Sequence, residues 1–380
     1  MGLGLEKSLN NGILVKRDLS IDCVKGLAII AVVFGHLGFY LPSIQEYKIS
    51  LSPLFFSLWH VPVFFCVAGF FIKEERLVRP VEFIIKKVKT LYLKTVLFVG
   101  IAVFCHNLFL KIGFYSGQLD YAGKTMSFYS IKDIFVTLIK TVLFMGREPI
   151  TGPLWFAYVL FMALCGYSLL TYTLSKIVSD KQKFFAIKGL VILAITIISN
   201  VLTQNFGITQ NCVSNVFPAM LLIYIGQWFN VEKKMKYTSP LAAFLCLLLI
   251  VQSVVRSGGI SLNNNQFYDV FHLIVGGGAM TYLLLFLIKK VNLPHLKNVL
   301  AFLGNYSFAI MGLHLLCFKL CMMIWNRLFS TSFKVAELVP GIGIQYIAGL
   351  VFLAFACFVP AVLGKVVEKN LCVKQKGFIK

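Results

Sequence analysis

Long apolar runs alternate with short polar connections along most of this 380-residue chain. A hydrocarbon core about 30 Å thick needs roughly 17–25 consecutive apolar residues in a spanning helix. Runs of that kind lie near 20–40, 53–73, 91–112, 153–175, 187–205, 214–230, 240–256, 269–288, 298–325 and 342–364. The pattern predicts an all-α, polytopic membrane protein, with about ten transmembrane helices in one bundle and residues 1–380 as a single domain. Segment 131–146 is different. It is shorter and carries Lys132, Asp133 and Lys140, while Ile131, Ile134, Phe135, Leu138 and Val142 recur at helical spacing. That pattern predicts an amphipathic helix lying at the membrane interface.

Charge orients the bundle. With ten spans, one side holds residues 1–19, 73–94, 176–188, 230–236, 289–297 and the tail after 364. About 25 of the 36 Lys and Arg residues fall there, against about nine on the other side. The positive-inside rule makes the rich side cytoplasmic. Both termini are therefore expected in the cytoplasm, and the plasma membrane is the expected location. Treating 131–146 as a span would reverse every later loop and spoil this asymmetry.

Composition agrees. Soluble domains carry roughly 25% charged residues; this chain carries 13%, with 58% hydrophobic residues and a mean hydropathy of +0.83. The net charge of +21 sits in the short loops as topology signals, so no nucleic-acid partner is expected. Most of the ten cysteines, including Cys66, Cys105, Cys165, Cys246, Cys317 and Cys357, lie inside apolar runs, where they behave as small hydrophobes. No disulfide and no metal site are expected. No small-residue cleavage site follows Lys16 and Arg17, so no cleaved signal is expected, and no internal repeat is evident.

Ionisable groups within a bilayer are functional candidates by default. On the opening helix, Lys25 and His36 are eleven residues apart, hence within roughly 20° of one face and about 16 Å apart along the axis. Asp22 shares that stripe as a partner for Lys25. In the second run, Trp59-His60-Val-Pro-Val-Phe-Phe leads through Gly69 to Arg76 and Arg79. Two guanidinium forks spaced i, i+3 suit phosphate binding. His60 lies at a depth similar to that of His36. His60 and Arg76 would occupy nearly opposite faces of an unbroken helix, so a shared path needs a bend near Gly69 or a helix that ends before Arg76. His314 follows Gly304-Asn-Tyr-Ser in a late span, again in its outer half, and Trp155 opens another in Pro-Leu-Trp-Phe. Each residue has a plainer reading: a snorkelling lysine, interfacial histidines, an aromatic-belt tryptophan, topology arginines. Together they outline a path for a molecule with a phosphate-rich head and a slender reactive arm, as in coenzyme A. An imidazole at the far end would take the proton of an incoming hydroxyl.

At these residues the chain resembles the acyltransferase-3 family of integral membrane acyltransferases. The likeness rests on Ile-Asp-x-x-Lys25-Gly followed by His36, on His60-x-Pro-x-Phe-Phe with Gly69-Phe, and on Arg76-x-x-Arg79. Pro-Leu-Trp155-Phe and Gly-Asn-Tyr-Ser with His314 complete it, so it spans nearly the whole chain. The resemblance implies transfer of an acyl group, usually acetyl, from cytoplasmic acetyl-CoA to a hydroxyl of a surface glycan or lipid-linked sugar. It makes His36 the catalytic imidazole and assigns Lys25, Arg76 and Arg79 to the coenzyme A head. His60, Trp155 and His314 are expected to line the acceptor side. No metal is expected, because the thioester supplies the driving force. Some branches carry a carboxylate after the mid-chain tryptophan, which has no match here, and no appended soluble hydrolase-like domain is expected. A transporter or flippase using the same histidines, and a membrane module serving a partner enzyme, are the other classes the pattern allows. Sugar recognition would fall to outer loops 41–52, 113–130 and 257–268.

Overall fold

A computed structural model describes residues 9–10, 13–14, 19–41, 43–44, 49–115, 126–145, 148–207, 214–231 and 237–377, with backbone only at 9–10, 13–14, 43–44, 49, 231, 257 and 371–377. Apart from two antiparallel pairings of two residues each, these residues are helices, turns and connecting segments. In order they are α1 (Ser20–Gly35), α2 (His60–Phe70), α3 (Glu74–Leu77), α4 (Pro80–Lys87), α5 (Leu93–Phe104) and α6 (His106–Lys111). Then come α7 (Ile131–Val142), α8 (Trp155–Ser175), α9 (Lys181–Phe206), α10 (Val216–Val231) and α11 (Pro240–Ser257). Last are α12 (Val270–Ile274), α13 (Met280–Lys290), α14 (Pro294–Asn305), α15 (Ser307–Phe329) and α16 (Tyr346–Gly377).

Six helical stretches among the described residues are long and apolar enough to cross a membrane: Pro53–Phe70, Pro149–Ile177, Lys181–Phe206, Val270–Lys290, Ser307–Phe329 and Tyr346–Asn370. Val216–Asn230 and Pro240–Arg256 are apolar but shorter. The expected run 20–40 is a 16-residue helix, and the run 91–112 is divided at Cys105 between α5 and α6. The run 298–325 is divided at Tyr306, where the backbone leaves helical geometry (φ −103°, ψ 18°). Outward-facing Leu190, Ile197, Ile198 and Val201 on α9, and Ile347, Leu350 and Val351 on α16, leave apolar surface that water would not tolerate. The architecture is that of a polytopic membrane protein.

Two helix crossings fix the centre. Lipid tails are as apolar as leucine, so helices in a bilayer associate where small residues allow close backbone contact. A Cβ on Gly26 of α1 would lie 2.1 Å from the Leu300 carbonyl oxygen of α14, and one on Gly304 would lie 2.0 Å from the Asp22 carbonyl oxygen. The same reciprocal arrangement joins α2 to α10: a Cβ on Gly69 would meet Ile223 O, and one on Gly226 would meet Cys66 O. Gly69 is therefore a contact point, not a bend. Three consecutive glycines, Gly276–Gly278, form a π-helical turn between α12 and α13 and press against Leu58 and Leu222.

Segment 131–146 is helical over Ile131–Val142. Its first turn is closed by a capping box: Ser130 Oγ accepts from Asp133 N (3.2 Å) and Asp133 Oδ2 accepts from Ser130 N (2.9 Å). Ile131, Phe135, Val136, Ile139 and Val142 are exposed, and only Thr141 of this helix is buried.

Candidate active site

His36 sits at the C-cap of α1 and is partly accessible. Its Nδ1 lies 2.8 Å from the Val32 carbonyl oxygen, one turn back. A carbonyl only accepts, so Nδ1 carries the hydrogen and the neutral ring keeps its lone pair at Nε2. His60 makes the same bond to Phe56 O (2.6 Å), and His314 makes it to Ile310 O (2.9 Å). The helices thus set all three rings in one tautomer with Nε2 as the basic nitrogen. His314 is fully buried, and its Nε2 has no hydrogen-bond partner among the described residues.

The rings of His36 and His314 are 5.1 Å apart, centroid to centroid. Through Phe56, the end of α1 is linked to His60. The Phe56 ring stands edge-on to it at 6.0 Å and fills the space against Gly35, where a Cβ would come within 2.8 Å of Phe56. The chain after His36 is held in place as well: Ile342 N donates to Leu37 O and Gly343 N donates to Gly38 O, both at 2.9 Å. Gly38 adopts φ +71°, with a would-be Cβ 3.0 Å from the Gly341 backbone. Only glycine fits that turn without strain.

At the other end of α1, Lys25 pairs with Asp22 (2.8 Å), as the shared stripe predicts. Its ammonium also lies 5.9 Å from the Phe71 ring just beyond α2, which ties the foot of α1 to the link carrying the arginines. Between Lys25 and His36 the stripe passes Ile29 and Val32, 0% and 2% exposed, so it faces the bundle interior and is packed along its length.

Helix α2 ends at Phe70 and Lys73 is extended (φ −98°, ψ 134°), so Arg76 lies beyond the helix, on the short α3. Of the two conditions set for a path shared by His60 and Arg76, the helix end before Arg76 is the one present. Pro80 starts α4 and accounts for the break at Arg79. Both arginines are exposed. Arg79 faces Glu82 at 3.8 Å, an exposed pair of little energetic weight. Trp155 stands edge-on to Phe156, which packs on Phe64 and Phe65 of α2. Of the acceptor loops, residues 42, 45–48 and 116–125 lie outside the described residues.

Several polar groups escaped the sequence reading. Lys188 on α9 is fully buried against Glu74, Gln227 and Tyr167. Lys319 on α15 is fully buried and donates to Val335 O and Glu337 O, both at 2.7 Å. His106 and Glu148 form a buried pair (2.7 Å), with His106 stacked on Tyr129 at 3.5 Å. Ser253 Oγ meets His272 Nδ1 at 2.5 Å. Charge inside an apolar run was the available signal for the lysines. Lys188 is close enough to a loop to be counted as a topology charge. The partners of the others come from distant segments that no spacing rule connects.

No curated protein and no solved structure matches the chain significantly. A family model described as an acyltransferase domain, Acyl_transf_3, matches residues 18–364, which takes in every residue of the site built above. The chain belongs to the acyltransferase-3 family and is a membrane acyltransferase.

Proposed function

We propose that this protein moves an acyl group, acetyl in the first instance, from cytoplasmic acetyl-CoA to a hydroxyl of a surface glycan or lipid-linked sugar. In this reading the chain crosses the plasma membrane ten times, with both termini cytoplasmic. Arg76 and Arg79, with Lys25 above them, hold the phosphates of the coenzyme A head. The arm runs beside α1 toward His36, a rise of about 16 Å. Because Ile29 and Val32 are packed, the arm enters only as these side chains shift.

His36 Nε2 takes the proton of the acceptor hydroxyl as its oxygen attacks the thioester carbonyl. The carbon–sulfur bond breaks, the new ester forms, and the sulfur of coenzyme A leaves with that proton. His314 and His60 receive the acceptor beside His36, and Trp155 lines the same side. The observation that carries the reading is the tautomer set by Val32: an imidazole with Nδ1 engaged and Nε2 available, at the end of a helix whose foot is cationic.

The test is transfer of label from [acetyl-14C]acetyl-CoA to glycan in membrane vesicles from cells with and without the gene. Labelled glycan only where the protein is present supports the reading. Equal labelling in both preparations refutes it. Release of labelled acetate on mild alkaline treatment identifies the product as an ester.

A further inference from the structure

The link between α2 and α4 carries both arginines, and three neighbouring helices hold it. Lys188 of α9 donates to both Glu74 carboxylate oxygens, at 2.9 and 3.0 Å, and to Gln227 Oε1 at 3.2 Å. Gln227 Nε2 of α10 donates to Glu74 Oε2 at 2.7 Å, and Tyr167 OH of α8 donates to Gln227 Oε1. The rings of Tyr167, Phe184 and Phe185 surround the ammonium at 5.0–5.2 Å. Two further donors reach the backbone of the link and of the residue before it: Ser168 Oγ to Leu77 O at 2.8 Å, and Asn230 Nδ2 to the O of Phe70, the last residue of α2, at 2.7 Å.

Stability does not account for this network. A buried ion pair loses about as much in desolvation as it gains in attraction, and apolar residues of similar size often serve as well. A topology charge would need only to reach water, whereas Lys188 is 0% exposed. Lys188 and Gln227 both bond to Glu74, two residues before Arg76, and Tyr167 supports Gln227. The Glu74 carboxylate pairs with Lys188, while Arg79 faces Glu82.

We propose that Lys188, acting through Glu74 and Gln227, is a positioning residue that sets Arg76 and Arg79 for the phosphates of coenzyme A. This rests on the donor-site reading given above. The ordering of Arg76 and Arg79 before the ligand arrives lowers the entropy lost on binding.

The test is equilibrium binding of coenzyme A to the purified protein in lipid nanodiscs, read as a double-mutant cycle. Arg76→Ala/Arg79→Ala and Lys188→Met should each weaken binding about tenfold, and their combination should be no weaker than the arginine variant alone, within about twofold. A lysine acting only on general stability would add its own loss in both backgrounds, and that result overturns the proposal. Binding of Lys188→Met at the wild-type level overturns it as well. If the arginine variant itself binds normally, the donor-site reading has failed and takes this inference with it. Normal binding by Lys188→Met beside weak binding by the arginine variant removes the positioning role alone. Should Lys188→Met fail to purify as a single species, Glu74→Gln takes its place in the same cycle with the same outcomes.

Discussion

The imidazoles of His36 and His314 lie 5.1 Å apart and are tilted by 59°, each with Nδ1 held by the carbonyl one turn earlier in its own helix. The two rings, from α1 and α15, are therefore neighbours, and in each the Nε2 is the nitrogen left free of the backbone bond. His314→Ala should lower acyl transfer about tenfold or more while leaving coenzyme A binding unchanged. Equal loss of binding and transfer would mean that His314 serves packing only. Initial rates and nanodisc binding on the same preparation decide it.

The close crossing of α1 and α14 places His36, and its tolerance for change is small. Gly26→Ala puts a Cβ 2.1 Å from a backbone oxygen that cannot rotate away. It should destabilise the protein by about 1–3 kcal/mol. Gly304→Ala acts at the same crossing, so the double variant should cost less than the sum of the two. Gly100→Ala is the control, since its Cβ would meet only Leu138 at 3.6 Å. Thermal unfolding in detergent followed by intrinsic fluorescence measures all four variants. Equal melting temperatures for Gly26→Ala and wild type would contradict the packing argument.

Helix α7 should lie in the headgroup region with Phe135 and Ile139 toward the acyl chains. A spin label at 139 should be accessible to oxygen, and one at 132 to a water-soluble relaxation agent. Equal accessibility to both agents would remove the interfacial placement. Its capping box adds a pH dependence. Hydrogen bonds from Ser130 hold the Asp133 carboxyl below its ordinary value. The cap is therefore complete above the ordinary carboxyl range and is lost as pH falls through the lowered value. A label at Val136 should gain mobility on acidification, and Asp133→Asn should abolish that response.

Orientation has its own check. Reporter fusions after residues 231 and 290 and at the C-terminus should read as cytoplasmic, and fusions after 207 and 257 as external. Any reversal among them changes the span count.

The architecture was legible because hydropathy and charge act locally. The apolar runs gave most of the helices; on α7 the spacing named Ile131, Phe135 and Val142, which are exposed, but also Ile134 and Leu138, which pack against the core, and it left out exposed Val136 and Ile139. Lys25 with Asp22 and the break at Arg79 were also within reach, since an i, i+3 pair and a following proline are local signals. The approach of His314 to His36 was not, because it depends on how α1, α14 and α15 pack. Gly26 and Gly304 allow that packing, but nothing in the sequence pairs them across 278 positions. Lys188 was hidden differently. It follows a basic loop and reads as topology, and its true partner Glu74 lies 114 residues earlier.

The most direct test concerns His36. Purified protein in nanodiscs, supplied with acetyl-CoA and a crude glycan acceptor, is assayed for release of coenzyme A thiol. Wild type should release thiol in an acceptor-dependent manner. His36→Ala should bind coenzyme A normally and lose about 100- to 10,000-fold in rate, the contribution expected of a general base. Acceptor-dependent release at the wild-type rate by His36→Ala would contradict the account.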